Sequence, residues 1–170
     1  MRLELMRAVV RSWQPSDTRA IVRHANNRQV WLMLRDQCPH PYSERDSARF
    51  IAHVRTQQPE TSFAIEVDGE AAGGIGLKLQ TDIERVSAEI GYWLGQDYWG
   101  RGICAEAVRA VTAYAVDAYG LTRVFAVPFA HNPASCRVLE KAGYVLEGTK
   151  RRSAIKDGRV CDQKLYAWAE

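Results

Sequence analysis

What this chain lacks narrows the reading first. Its four cysteines, Cys38, Cys104, Cys136 and Cys161, never fall as Cys-x-x-Cys, and no histidine joins them at metal-ligand spacing. That excludes a zinc finger or a dithiol redox motif and predicts reduced thiols in a cytoplasmic protein without a metal. No apolar run is long enough to span a bilayer, and residues 1–7 are interrupted by charge where a secretory signal needs an apolar core, so no membrane partner is expected. Internal repeats, low-complexity stretches and linkers are also missing, and 170 residues suit one domain, 1–170. Charge of one sign is scarce as well. A net charge of +3 favours an anionic small ligand without indicating nucleic acid, and the one basic cluster, Lys150, Arg151 and Arg152, reads as a solvated strand end.

What is present centres on residues 98–106, Tyr-Trp-Gly-Arg-Gly-Ile-Cys-Ala-Glu. An apolar, strand-like run (90–94) leads into Gly100 and Gly102, and a long helical pattern follows at once. Glycine accepts φ > 0 and lets a ligand approach the backbone, while the start of a helix offers unpaired N–H groups and a partial positive charge. Such a turn suits a phosphate or diphosphate. No Gly-Lys-Ser/Thr follows and there is no third glycine, so neither a P-loop nor a dinucleotide fingerprint is present. Taken alone, these residues also fit a tight strand-to-helix connection that binds nothing.

The rest of the chain supplies a frame. Residues 5–11 read as a strand; Ser16 or Asp17 caps a helix stopped by Asn26-Asn27, with His24 packed or at the surface. Two prolines keep 38–42 out of helix, and Ser43 with Asp46 opens a second helix carrying Ala48, Ile51 and Val54 at helical spacing. Period-two alternation over 61–79 around Asp68-Gly69 predicts a hairpin, and 86–94 a third antiparallel strand. After the glycines, Ile103, Ala107, Ala110, Val111, Tyr114 and Ala118 form one apolar stripe that ends at Gly120. A strand over 123–129 should lose its pairing at Pro128, which has no N–H. Asn132 and Pro133 open a helix to Gly143, and strands 144–149 and 160–168 flank a turn at Asp157-Gly158.

This order, with Ala-Glu-Ile-Gly-Tyr-Trp-Leu at 88–94, the glycine turn at 98–107, and Asn-Pro-Ala-Ser-Cys-Arg-Val-Leu-Glu-Lys-Ala-Gly-Tyr at 132–144, resembles the GNAT superfamily of acetyl-CoA-dependent N-acetyltransferases. Pro41-Tyr42-Ser43, Leu146-Glu147-Gly148 and Asp162 are similar to its Rim-type branch of ribosomal-protein N-terminal acetyltransferases. The resemblance implies an α/β (α+β) fold, with a mixed, mainly antiparallel sheet of about seven strands, splayed at its centre and flanked by about four helices. The family's diphosphate pattern, Gln/Arg-x-x-Gly-x-Gly/Ala, falls on Trp99 to Cys104, with Trp99 and Cys104 departing from it. By that resemblance Gly100, Arg101, Gly102, Ile103, Cys104 and Ala105 hold the diphosphate of acetyl-CoA. Tyr92, Trp93, Leu94 and Asn132 contact its pantetheine arm, although Asn132 also fits a helix cap and nothing more. Cys104 has a second reading, a thiol activated at a helix N-terminus.

Direct transfer needs a deprotonated amine, an aligned nucleophile, stabilisation of the oxyanion and protonation of the leaving thiolate. An α-amine, with a pKa of about 8 against about 10.4 for lysine, needs little help from a base. Glu89 is the candidate base, with a surface ion pair as its alternative. The tyrosine that many family members use as acid is replaced by Leu139, which leaves Ser135 as the candidate donor. Tyr42, beside two prolines, is a candidate substrate contact or a packed loop residue. The expected reaction is acetyl transfer from acetyl-CoA to a primary amine, with a protein or peptide N-terminus leading. A polyamine or aminoglycoside acceptor, a non-catalytic CoA-binding module and a homodimer stay open.

Overall fold

Residues 1–170 are described by a computed structural model, and they fold as two compact units, Met1–Gly76 with Tyr92–Ala107, and Leu77–Gly91 with Val108–Glu170. In the first, β1 (Arg2–Glu4) and β2 (Val9–Ser12) form a hairpin, so the single strand expected over 5–11 is broken. The turn is closed by Leu5 N–H donating to Ala8 O at 2.9 Å and contains neither glycine nor proline, which is why the sequence did not signal it. β2 pairs antiparallel with β3 (Ser62–Val67), and β3 with β4 (Glu70–Leu79, of which the last three residues belong to the second unit), around the Asp68-Gly69 turn.

Three helices belong to this unit: α1 (Thr18–Ala25), α2 (Arg28–Trp31) and α3 (Glu44–Thr56). α3 starts at the expected capping box, with Asp46 N–H donating to Ser43 Oγ at 3.2 Å and Ser43 N–H to Asp46 Oδ2 at 3.0 Å. α2 was not anticipated. Asn27, read as part of a stop, is instead the cap of the next helix, its Oδ1 accepting from Gln29 N–H at 2.8 Å. Trp13, Ile21, Tyr42, Ile51 and Val54 share one core with Ala64 and Ala71 of the strands. Beside it, Arg11 is buried and pairs with Asp17 at 2.8 and 2.9 Å and with Glu66, which satisfies an interior guanidinium and holds it firmly charged.

In the second unit, β5 (Ser87–Leu94, of which the last three residues belong to the first unit) pairs in parallel with β6 (Arg123–Ala126), from Ser87 opposite Arg123 to Glu89 opposite Phe125. β6 stops two residues before Pro128, as the missing N–H requires. α4 (Ile103–Tyr119), which continues from the first unit, ends at Gly120 with φ +61°. α5 (Pro133–Lys141) is followed by β7 (Val145–Lys156) and β8 (Arg159–Ala169). The hydrogen-bonded strand order is β1-β2-β3-β4-β5-β6-β8-β7, eight strands where about seven were expected, with five α-helices rather than four.

Candidate functional site

In the first unit, the glycine turn is assembled from the end of β5 onward. Gly95 N–H donates to Ala72 O at 2.8 Å, and residues 96–98 make one 3-10 turn. β5 can lie this close because Gly73 has no side chain: a Cβ there would come within 2.4 Å of Trp93 O. Behind the turn, His24 is buried; its Nε2 lies 2.6 Å from Glu70 Oε1 and its ring meets Tyr98 edge-on at 5.5 Å. The packed reading of His24 therefore holds, and its imidazole supports the turn.

Trp99 donates its indole N–H to Leu94 O at 2.7 Å and remains 46% exposed. Gly100 and Gly102 follow at φ +78° and +81°, the left-handed region that disfavours any side chain. The first hydrogen bond of α4 runs from Glu106 N–H to Gly102 O at 3.2 Å. The N–H groups of Gly102, Ile103, Cys104 and Ala105 thus precede the helical ladder and have no acceptor within it. The Arg101 side chain folds back, donating to Asp97 O at 2.7 Å and lying 5.1 Å over the Tyr98 ring. Open backbone donors with a left-handed glycine on either side of Arg101 make a cradle that fits an anion.

A contact that sequence reasoning missed joins this turn from far away. Arg7, between β1 and β2, donates its backbone N–H to Glu106 Oε2 at 3.3 Å and pairs its guanidinium with the same carboxylate. Its Nη1 is also the only atom near the place a Gly102 Cβ would occupy, at 3.8 Å. Nothing in the spacing of residues 99 apart could have indicated this.

Two candidate residues of the first unit look different in the structure. Burial pushes the Cys104 thiol up to about 12, from an ordinary 9.0. Its desolvated environment keeps it neutral, which corrects the activated-thiol reading. Tyr42 is only 7% exposed and belongs to the core with Trp13 and Ile51; its backbone N–H donates to Asn26 Oδ1 at 2.9 Å, and burial raises its phenol. Tyr42 lies in the loop before α3, between exposed Pro41 and Ser43, with its side chain turned into the core. At the end of β5, Tyr92 and Trp93 are half-buried and Leu94 is buried.

The second unit carries Glu89, Asn132 and Ser135. Glu89 is half-buried on β5, opposite Phe125. Asn132 caps α5, its Oδ1 accepting from Ser135 N–H at 3.1 Å, so the motif asparagine has a structural task. Ser135 itself is half-buried in the first helical turn. Leu139, in place of the expected tyrosine, is fully buried. The tyrosine hydroxyls of Tyr144 and Tyr166 are engaged, with Thr112 Oγ1 at 2.6 Å and Glu140 Oε1 at 2.9 Å. No group of three or more His, Cys, Asp or Glu residues is arranged to hold a metal ion, and no helix is long and apolar enough to cross a membrane.

Comparison with known proteins follows the same lines. The chain is 36% identical over 98 residues to the uncharacterized N-acetyltransferase YoaA of Bacillus subtilis (strain 168), covering 58% of this chain and 55% of that protein. It thus spans about half the length of that curated relative. Against the [ribosomal protein uS5]-alanine N-acetyltransferase of Escherichia coli (strain K12) the identity is 28%, over 98% of this chain and 90% of that one. A spermidine N(1)-acetyltransferase of the same organism is 25% identical over 82% of this chain and 73% of its own. Among solved structures, Mycobacterium smegmatis RimJ in complex with CoA-disulfide superposes with a TM-score of 0.82 at 24% identity, covering 95% of this chain and 81% of that chain, a likeness of fold. The family model for the acetyltransferase (GNAT) domain matches residues 7–145, most of the chain, and the chain belongs to that family.

Proposed function

We propose that residues 1–170 act as one N-acetyltransferase domain that moves acetyl from acetyl-CoA to a primary amine, with a protein or peptide N-terminal α-amine as acceptor. The observation that carries this reading is the turn at 98–106: left-handed Gly100 and Gly102 opening onto four N–H groups at the start of α4. Those donors, with Arg101 N–H, would hold the diphosphate, and the acetyl-CoA so bound supplies the activated thioester. Backbone donors bring charge stabilisation without a side chain that must be desolvated. That is why tryptophan at 99 and cysteine at 104 are compatible with the role.

Glu89 would accept the proton of the incoming amine, directly or through water, and Ser135 would return one to the departing thiolate. An α-amine is deprotonated readily enough near neutral pH that positioning outweighs base strength. The uS5-alanine relative, aligned along nearly the whole chain, supports a protein N-terminus as acceptor. Similarity to a spermidine acetyltransferase supports a second reading, a small polyamine. The test is to incubate the protein with acetyl-CoA and a panel of N-terminal peptides, polyamines and aminoglycosides, and to follow free thiol. Peptide-dependent release favours the first reading and polyamine-dependent release the second. Binding of acetyl-CoA with no release by any amine would leave a CoA-binding module.

A further inference from the structure

The basic cluster read from the sequence as a solvated strand end is built into a bulge. β7 lies at the end of the strand order, so its outer edge has no neighbouring strand. Its register with β8 shifts once between Leu146 and Gly148, runs regularly from Gly148 to Lys150 opposite Gln163 and resumes at Ala154 opposite Cys161, leaving residues 151–153 opposed by Asp162 alone. Four non-glycine residues in the structure have positive φ, and three are aspartates, whose short polar side chains tolerate it. The fourth is Arg152, at φ +50°.

The strain is held in place deliberately. Arg152 N–H donates to Asp162 Oδ1 at 2.7 Å; Ser153 Oγ donates to Lys150 O at 2.9 Å and lies 3.0 Å from Gln163 Oε1. Glycine would take this backbone conformation without cost, so a long cationic side chain at an exposed, strained position points to a use for the side chain. A bulge re-aims side chains from an edge strand, which is what residues 151–153 need to project their cations together.

Charge on the hairpin is asymmetric in the same way. Glu147 is committed to Arg123 at 2.7 Å and Asp162 to the bulge backbone, whereas Lys150, Arg151, Arg152 and Arg159 are exposed and held in no ion pair. Val145, Leu146 and Ile155 lie exposed on either side of the bulge.

We infer that this edge of β7 is a docking site for an extended acidic peptide segment of a partner protein, with carboxylates taken by Arg151 and Arg152 and aliphatic side chains resting beside Leu146 and Ile155. Arginine forks match carboxylates in a bidentate geometry, and the edge offers main-chain groups along an extended partner. A nucleic-acid strand fits less well, because the exposed apolar residues here are aliphatic and provide no aromatic platform for bases.

The test uses the full chain without acetyl-CoA, so that its failure is separate from failure of the acetyltransferase reading. A labelled peptide with a central glutamate run between valines and leucines is titrated by fluorescence anisotropy, alongside its glutamine counterpart and a single-stranded RNA of similar length. The glutamate peptide should bind, and bind more weakly as salt is raised; the glutamine peptide should not. Arg152→Gly should lower that affinity about tenfold while keeping or raising the melting temperature, since it removes one charge-assisted contact and relieves the backbone. Equal affinity of wild type and Arg152→Gly, equal binding of the two peptides, or tighter binding of the RNA would each overturn the proposal. No binding at all would mean that the cations serve only to keep an open edge from pairing with other strands.

Discussion

Replacing Gly102 by alanine tests the anion cradle at its tightest point. Its φ of +81° is a conformation that costs an L-residue about 1–2 kcal/mol. The cost is conformational rather than steric, because the only atom near the new Cβ is Arg7 Nη1, at 3.8 Å. If the backbone stays where it is, the whole penalty falls on stability, and for a chain of this size that is a drop of about 2–8 °C in melting temperature. If the turn relaxes instead, stability is spared, but acetyl-CoA must pull it back, and affinity falls roughly 5- to 30-fold. The methyl group also occupies the open space beside the N–H groups, so some loss of affinity is expected on either path. Isothermal titration with acetyl-CoA, paired with thermal denaturation, measures both. Gly148→Ala is the control: its Cβ would meet nothing within 4 Å and its φ is not in the left-handed region, so neither quantity should move. Unchanged acetyl-CoA affinity in Gly102→Ala would refute the reasoning, whatever happened to the melting temperature.

Other outcomes follow from the same geometry. Glu89→Gln should slow turnover about 10²-fold or more if its carboxylate takes the amine proton; an unchanged rate across pH values from about 6 to 9 removes it as the base. Ser135→Ala should lower kcat more than KM while leaving Asn132 in place as the α5 cap; full turnover would pass the proton to water. The native Cys104 thiol stays protonated up to about 12, whereas in the unfolded chain it ionises from about 9.0. Stability linked to it is therefore complete below the lower value and is lost as pH rises through the interval, by up to about 1.4 kcal/mol per pH unit. Cys104→Ala should flatten that alkaline loss in thermal melts, and an identical slope would show the thiol to be uninvolved.

Much of the frame was legible because local chemistry and tertiary need agreed. The Ser43–Asp46 box, the Asn132-Pro133 start of α5 and Gly120 after α4 each placed a helix end where the structure has it. Where the signals were ambiguous, tertiary contacts decided. Asn27 stops one helix or starts the next with equal ease, and only its bond to Gln29 N–H settles which. Residues 5–8 turn without a turn residue, and the Arg7 pairing with Glu106 helps fix that bend from the opposite side of the sequence. The bulge at 151–153 was invisible because its determinant, Asp162, lies ten residues away on the partner strand. At the candidate site, the glycines announced the backbone geometry, since φ > 0 is written directly in residue type. Burial is not so written: Tyr42 and Cys104 have polar atoms that made them candidates, and only the packing around them shows a core phenol and a thiol held neutral.

In the proposed reaction, main-chain amides after Trp99 would grip the coenzyme's diphosphate. Amide chemical shifts followed in a ¹H–¹⁵N correlation spectrum during titration with acetyl-CoA test it most directly. Saturable shifts should be largest at Arg101, Gly102, Ile103, Cys104 and Ala105, and much smaller when S-acetylpantetheine, which lacks the diphosphate, replaces the coenzyme. Tight binding that left those five amides unmoved would contradict it.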